Sequence, residues 1–323
     1  MSWKKQFETL LGSPNASSQD IDNSFRLKER HLPRFLYRYR PASEWAIQNL
    51  ANETVWFGKA SALNDEHEFA EQLDFERLTQ LLVSKNIKEL TDYLTQGQEV
   101  PAEILSKAEA SSDPIQEISA YLLREQEGWS EDRIIKAQKV LRDIYFDHMN
   151  KIIDSKIKDT QEKMKVCSFS ESPDIHLMWS HYAGSYKGFC VEYDMSRLER
   201  GDLRRRLLFP VLYTDEVFDS TEHLIQSMTN NGSFNPLYAL VIGLRKSEAW
   251  KYEKEWRMVM NLGDSFPEQN YSMNCQSAVY LGVNIEADKR KTILKISESQ
   301  ELKVMEARPI RSKYGVEFIP LNE

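Results

Sequence analysis

The chain has 323 residues, 41% of them hydrophobic and 28% charged, with a formal net charge of −8. At roughly 150 residues per domain that is one large domain or two ordinary ones, able to bury about three quarters of its unfolded surface without disulfides or a structural metal. No apolar run approaches the ~20 residues of a membrane span, so no membrane partner is expected. The opening MSWKKQFETLLGSPN carries two lysines but only a short, broken apolar stretch, and reads as no secretory signal. Cys167, Cys190 and Cys275 are odd in number and widely spaced. That pattern excludes a disulfide framework or a CxxC motif and points to a reducing, cytoplasmic setting. The acidic balance gives no strong nucleic-acid signature. The one basic run, Arg204-Arg205-Arg206, reads either as a local patch or as a solvated stretch before a strand.

In chain order, Phe35 to Tyr39 predicts a short strand stopped by Pro41, and Ser43 caps a helix through Trp45, Ile47 and Leu50. Thr54 to Phe57 predicts a second strand ending at Gly58. Residues 71–165 read as helix almost throughout. Ser130, after Gly128, is an N-cap with Glu131 and Asp132 in the first turn. Ile134, Ala137, Leu141, Ile144 and His148, continued by Met149, Ile152 and Ile153, make an amphipathic stripe of about eight turns. Strands follow at Lys165–Ser170, Gly188–Tyr193 and Phe209–Tyr213, then a helix across 236–250. Trp256–Met260, Ala278–Gly282, Leu302–Met305 and Gly315–Ile319 complete about eight short strands. No GxGxxG or Walker motif is present. The expected fold is therefore a single α+β domain over 1–323. It has a mixed, split sheet of short strands from 34–63 and 165–321, interrupted by a long helical insertion at 71–165.

Three clusters gather the unusual polar residues. In Leu63-Asn64-Asp65-Glu66-His67-Glu68, Asn64 or Asp65 caps a helix and Glu68 closes a capping box, or the same turn faces a ligand. As metal ligands, Asp65, His67 and Glu68 match no established spacing, and no metal is expected. In the second cluster, Ser168 and Ser170 share one strand face with Phe169 opposite, which leaves room for a ligand. Trp179, His181 and Tyr182 add stacking and hydrogen-bonding surfaces nearby; the alternative is a packed aromatic corner with satisfied hydroxyls. Ser180 and His181 are adjacent and cannot face each other productively, which argues against a serine hydrolase. In the third, Glu253 and Glu255 enter a strand two residues apart, so both carboxylates face one side and Arg257 continues that face. Paired carboxylates suit acid–base work or the holding of a developing cation. The alternative is a Glu255–Arg257 salt bridge beside a solvated Glu253 on an edge strand.

The blocks LYRYRP, WFGKASALNDEHE, CSFSES with MWSHYAGSYKGFCVEYD, and KSEAWKYEKEWRMV span most of residues 34–283. Together they resemble a widespread bacterial domain-of-unknown-function family (number twenty-nine seventy-one), a resemblance that brings little biochemistry with it. The same blocks are similar, in the same order, to ADP-ribosyltransferases of the arginine–serine–glutamate type: Arg38, then Ser168 and Ser170, then Glu253 and Glu255. That resemblance implies an enzyme that consumes NAD as a substrate and uses no metal. It would place Arg38 on the pyrophosphate, Ser168 on the nicotinamide ribose and Ser170 as a brace for the strand. Glu255 would hydrogen-bond the ribose and stabilise the oxocarbenium ion, Glu253 would orient the acceptor, and Tyr37, Tyr39 or Trp179 would stack on nicotinamide or adenine. The chain departs from the pattern in the helical insertion that swells the interval between Arg38 and Ser168. On this reading the protein is an ADP-ribosyltransferase-like toxin or phage-defence effector, acting on a macromolecular or small-molecule acceptor that the sequence does not identify. The alternatives are a non-catalytic ligand- or protein-binding module and, more distantly, a metal-dependent hydrolase built on Asp65, Glu68, His181 and Glu255.

Overall fold

Two helices open the chain, each started by a serine. Ser2 Oγ accepts from Lys5 N at the head of α1 (Trp3–Gly12), and Ser17 and Asp20 cap each other reciprocally at the head of α2 (Ser18–His31). Neither helix is among the elements expected from periodicity, because each buries only two or three residues. The computed structural model describes residues 1–65, 67–97, 99–124, 129–229, 235–260 and 268–321. Gly128, Glu66 and the side chain of Ile153 therefore lie outside the described residues.

β1 (Phe35–Arg40), α3 (Glu44–Ala51, capped by Ser43) and β2 (Thr54–Lys59) come next. A two-residue β3 (Glu71–Gln72) leads into α4 (Phe75–Thr95), α5 (Ala102–Ala110), α6 (Pro114–Arg124) and α7 (Glu131–Lys163). Then follow β4 (Lys165–Ser170), α8 (His176–His181), β5 (Phe189–Asp194), α9 (Leu203–Leu207), β6 (Leu208–Pro210) and β7 (Leu212–Tyr213). β8 (Phe218–Asp219) and α10 (Thr221–Thr229) precede α11 (Tyr238–Ile242) and β9 (Arg245–Lys246). The chain closes with β10 (Glu255–Met260), β11 (Gln269–Ser272), β12 (Gln276–Gly282), α12 (Ala287–Ser299), β13 (Lys303–Pro309) and β14 (Val316–Pro320). The helix expected across 236–250 is corrected: α11 stops at Ile242, because β9 pairs in parallel with β7, and Glu248–Glu253 form a 3-10 turn.

The chain divides into two compact units. The second comprises residues 71–159 and 218–235. Its helices pack around Ala108, Ile115, Ile118 and Tyr145. Ser130 Oγ accepts from Arg133 N at the head of α7. The buried side of that helix carries Ile134 and Tyr145, whereas Ile144 is 53% exposed and His148 is also exposed, so the apolar stripe is rotated from the expected one.

The first unit holds the main sheet, and the fold is α+β. Strand order is β11-β2-β4-β1-β5-β12-β13-β14, with β10 also on β4 and β6 beyond β10. β12 and β13 run parallel across α12 and the other pairings in this sheet are antiparallel, so the sheet is mixed. One core cluster joins Leu36, Phe57, Phe169, Val191 and Trp256 of the sheet to Ala46 and Leu50 of α3 and Ile293 of α12. A second joins Tyr37, Tyr39, Trp179, Tyr186 and Cys190. Alternate residues of β1 thus feed different clusters, as the pleat requires. Among the described residues no helix is long and apolar enough to cross a membrane.

β4 is the strand around which the sheet splits. β10 covers one edge of it along its whole length, from Glu255↔Ser170 to Met260↔Lys165. The other edge is shared: β2 pairs at Gly58↔Val166 and Lys59↔Lys165, while β1 reaches it only at Tyr37↔Ser170. Cys167, Ser168 and Phe169 are left between them without a strand partner on that side.

α2 buries a charge whose titration is measurable. Lys28 is 1% exposed; its Nζ donates to the carbonyls of Arg205 (2.9 Å) and Arg206 (2.8 Å) and lies over the rings of Phe25 and Phe209. Burial, against the pull of Glu29, pushes the ammonium down to about 7. An unfolded lysine keeps its proton to about 10.4. From pH 7 upward the unfolded chain therefore binds the extra proton, and stability rises with pH. Relative to Lys28→Met, the wild type is expected to gain about 2 kcal/mol of unfolding free energy between about pH 7 and pH 9, read by urea denaturation. Parallel pH profiles for the two proteins would show that Lys28 stays charged.

Candidate functional site

A cavity of about 370 Å³ opens in the split. Consecutive residues of two strands line it, Tyr37 to Arg40 on β1 and Val166 to Ser170 on β4. Because neighbouring residues of a strand point to opposite faces, this places the cavity in the gap between the strands rather than on one face of the sheet. Lys59, Asn64, Tyr182, Lys246, Glu253, Glu255, Arg257 and Glu268 complete its polar wall, and Trp56, Leu63 and Met178 line its apolar one. Of the residues singled out in the sequence, Tyr37, Arg38, Tyr39, Asn64, Ser168, Ser170, Tyr182, Glu253 and Glu255 therefore come together.

Three do not. Trp179 is fully buried, stacked on Tyr186 with its indole N–H on the carbonyl of Pro173, so it supports the wall and has no face for a ligand. His181 is exposed and outside the cavity. Asp65 also lies outside it, and its Oδ1 accepts from His67 N in a local turn rather than capping a helix. The first helix after it begins only at Phe75, under Asp74. Asp65→Ala is accordingly expected to cost at most about 1 kcal/mol and to leave ligand binding unchanged, a comparison of melting curves and binding isotherms. Tyr39 lines the cavity, yet its hydroxyl is fixed on the carbonyl of Ser172, so only its ring edge is available.

The acidic end of the cavity is a buried network of five charges. Arg257, with no exposure, uses all of its N–H donors: Nη1 on Glu68 Oε2 (2.8 Å) and the carbonyl of Gly243 (2.8 Å), Nη2 on Glu68 Oε1 (2.9 Å) and Glu255 Oε2 (3.2 Å), and Nε on Glu255 Oε1 (3.0 Å). Lys246 Nζ reaches Glu253 Oε2 (2.7 Å), Glu255 Oε2 (3.1 Å) and Glu68 Oε1 (3.6 Å). Glu68 is thus not the end of a capping box: its carboxylate forms a two-point pair with Arg257 across the fold. Glu253 is not solvated either. Its Oε1 accepts from the Tyr182 hydroxyl at 2.6 Å, which in turn accepts from Asn64 Nδ2 at 3.0 Å.

Glu253 and Glu255 meet for a different reason from the expected pleat. Glu253 ends the 3-10 turn, and Lys254 adopts the left-handed conformation (φ +47°) before β10 starts. That one-residue reversal, unfavourable for a residue with a Cβ, turns both carboxylates toward Lys246. Ser170 Oγ donates to the carbonyl of Glu253 at 2.7 Å and locks the bend to β4, a bracing role. β10 lies between β4 and β6 and so is no edge strand.

The two carboxyls are driven apart electrostatically. Burial opposes ionisation of Glu255, but the charges of Arg257 and Lys246, with the Ser168 hydroxyl, outweigh it and bring the group down to about 2. For Glu253, burial dominates over Lys246 and, with the charge of Glu255, raises its carboxyl above the ordinary value. Glu255 is therefore the more firmly ionised of the two and Glu253 the more easily protonated. Three carboxylates against two cations leave the network one negative charge in excess.

The other end is basic. Arg38 has no carboxylate partner among the described residues: Nη1 donates to Cys167 Sγ and Nη2 to the carbonyl of Trp56. The Arg40 side chain makes no hydrogen bond or ion pair among the described residues, and burial together with Arg38 brings it down to about 10. Arg40 and Trp56 also line an adjoining pocket of about 330 Å³ with Asn49, Asn270 and Trp45, a residue that is 71% exposed. Sequence reasoning missed Arg40, Trp56 and above all Lys246, which it placed in a helix. The metal set of Asp65, Glu68, His181 and Glu255 does not assemble: Glu68 and Glu255 are occupied by Arg257 and Lys246. Among the described residues no three His, Cys, Asp or Glu side chains gather to hold a metal ion.

Residues 178–258 match the model of a family described as protein of unknown function (DUF2971). This interval contains Tyr182, Lys246, Glu253, Glu255 and Arg257, while Arg38 and the Ser168–Ser170 strand lie before it. No curated protein and no solved structure matches the chain.

Proposed function

We propose that the protein is an NAD-consuming, ADP-ribosyltransferase-like enzyme whose chemistry takes place in the split of the sheet. The observation that carries this reading is the polarity of the cavity: arginines without carboxylate partners among the described residues at one end, a buried network with excess negative charge at the other, and the Ser168 strand between them. A dinucleotide with an anionic pyrophosphate and a cationic nicotinamide ring has the complementary charge order. Arg38 and Arg40 hold the pyrophosphate through planar guanidinium forks. Trp56 and Trp45 give the adenine an aromatic surface beside Arg40. As the bond from ribose C1′ to the nicotinamide nitrogen breaks, its electron pair leaves with neutral nicotinamide and positive charge develops on the ribose. The fixed charge of Glu255 stabilises that cation from a site with little water. Since the oxygens of Glu255 are already occupied, it acts by charge, and Glu253, with acceptor capacity left, orients the acceptor and takes its proton.

The test is incubation of the purified protein with nicotinamide-labelled NAD, following release of free nicotinamide. Release that disappears in Arg38→Ala supports the reading; no binding and no release by the wild type overturns it. The saturation of Glu68 and Glu255 by Arg257 and Lys246 favours a second reading, a non-catalytic ligand-binding module. That reading requires NAD or another nucleotide to bind with no turnover at all.

A further inference from the structure

A second basic feature lies elsewhere in the first unit. Residues from α2 and from the segment around α9 line a groove of about 630 Å³. Its rim carries Arg26, Arg30, Arg200 and Arg206, all exposed, and none makes an ion pair or side-chain hydrogen bond among the described residues. Arg26 and Arg30 stand one helical turn apart on α2 and so share a face. The floor is rigid. Arg205 pairs with Glu29 and donates to the carbonyls of Met195 and Leu198, and Lys28 ties α2 to the carbonyls of Arg205 and Arg206. Arg205 Nε is buried with no acceptor among the described residues, a donor left over at the floor. Asp22 is the one acidic side chain of the groove outside the Glu29–Arg205 pair. Phe25 lines the groove, half-buried, against Phe209.

On a chain of net charge −8, four unpaired guanidiniums in one groove run against the overall sign. Like charges that line one groove repel one another, and an anion with several charged centres relieves that repulsion better than separate small counterions. We propose that this groove binds the backbone of a single-stranded nucleic acid. Planar guanidinium forks match phosphate oxygens two at a time. A cationic groove with an aromatic side chain in it is the arrangement that tracks a single strand and stacks its bases. An acidic protein segment would be attracted by the same charge but gains nothing from Phe25. The inference is independent of the NAD reading, since none of the groove residues lines the split.

The experiment is fluorescence anisotropy of a labelled oligouridine of about 16 nucleotides titrated with the full chain. With four phosphate contacts the slope of log K against log salt is expected near −3, so binding weakens roughly 50-fold from about 50 to about 200 mM salt. Arg26→Glu with Arg30→Glu, Arg200→Glu and Arg206→Glu should weaken it at least about tenfold while leaving the circular dichroism spectrum and any nicotinamide release unchanged. Absence of salt-dependent binding, its survival in the fourfold variant, or equal binding of polyglutamate of the same length would each overturn the proposal. Because Arg206 and Arg200 sit near the buried Lys28 anchor, the pair Arg26→Gln and Arg30→Gln on exposed α2 positions provides a second variant; it should lower the salt slope by about 1.4.

Discussion

Arg257→Met is expected to lower the unfolding free energy by about 3–5 kcal/mol at pH 7, because it leaves buried carboxylates without their cation. Methionine fills much of the same space, so the loss is electrostatic rather than a cavity. In the wild type Arg257 answers both oxygens of Glu68 and both of Glu255. Without it, three buried carboxylates share Lys246 alone. The pH dependence identifies the cause. Glu255 is held down to about 2, below the ~4.3 of an unfolded glutamate. Its contribution is complete above about pH 4.3 and is lost as pH falls toward 2. In Arg257→Met that depression disappears, so the gap between the two proteins should narrow steadily on acidification from about pH 5. Urea denaturation at several pH values reads both quantities. A midpoint unchanged at pH 7, or a gap that widens in acid, would show that the network does not hold this part of the fold together.

This network also shows where sequence reasoning stops. The strands that build the split were legible because they are short and bounded: Phe35–Tyr39 was expected before Pro41, Lys165–Ser170 before Ser172-Pro173, and Trp256–Met260 from its aromatic start, each within a residue of the strand found. Their order placed Arg38, Ser168 and Glu255 on strands that turned out to be neighbours. Glu68 was not legible. Asp65 and Glu68 have the spacing of a capping box, and nothing local distinguishes that from a glutamate whose partner, Arg257, is 189 residues away. Lys246 fails for a related reason: a run of Leu, Val and Ile through 237–244 suggests a continuing helix. The close approach of Phe69 to Gly243, where a Cβ would stand 2.6 Å from the ring, is visible only in three dimensions. The polar helices α2 and α12 bury only two residues each; the Ser17–Asp20 capping box is a local signal for α2, whereas α12 has no side-chain cap at its start. Long-range pairing decided each of these cases, and composition carries no trace of it.

Glu255→Gln is expected to reduce nicotinamide release by about 10²–10³-fold, corresponding to a loss of roughly 3–4 kcal/mol of transition-state stabilisation. The substitution keeps the side chain's size and removes only its charge. Arg257 retains Glu68 and Lys246 retains Glu253, so the variant should fold with a lowered melting temperature. For that reason turnover must be expressed per folded molecule, well below the melting point. Glu253→Gln should behave differently, impairing transfer to an acceptor more than hydrolysis of NAD. Glu253 holds its proton above the ordinary glutamate range because burial outweighs Lys246, whereas Glu255 stays ionised to about 2. The acid limb of kcat/KM for transfer should therefore fall through a pKa higher than ~4.3. The limb should vanish in Glu253→Gln and persist, at reduced amplitude, in Glu255→Gln. If the fixed charge of Glu255 serves only to neutralise Arg257, Glu255→Gln will shift the melting curve and leave the turnover of folded protein intact. That outcome would remove the glutamate pair from the chemistry and leave the split of the sheet as a binding cleft.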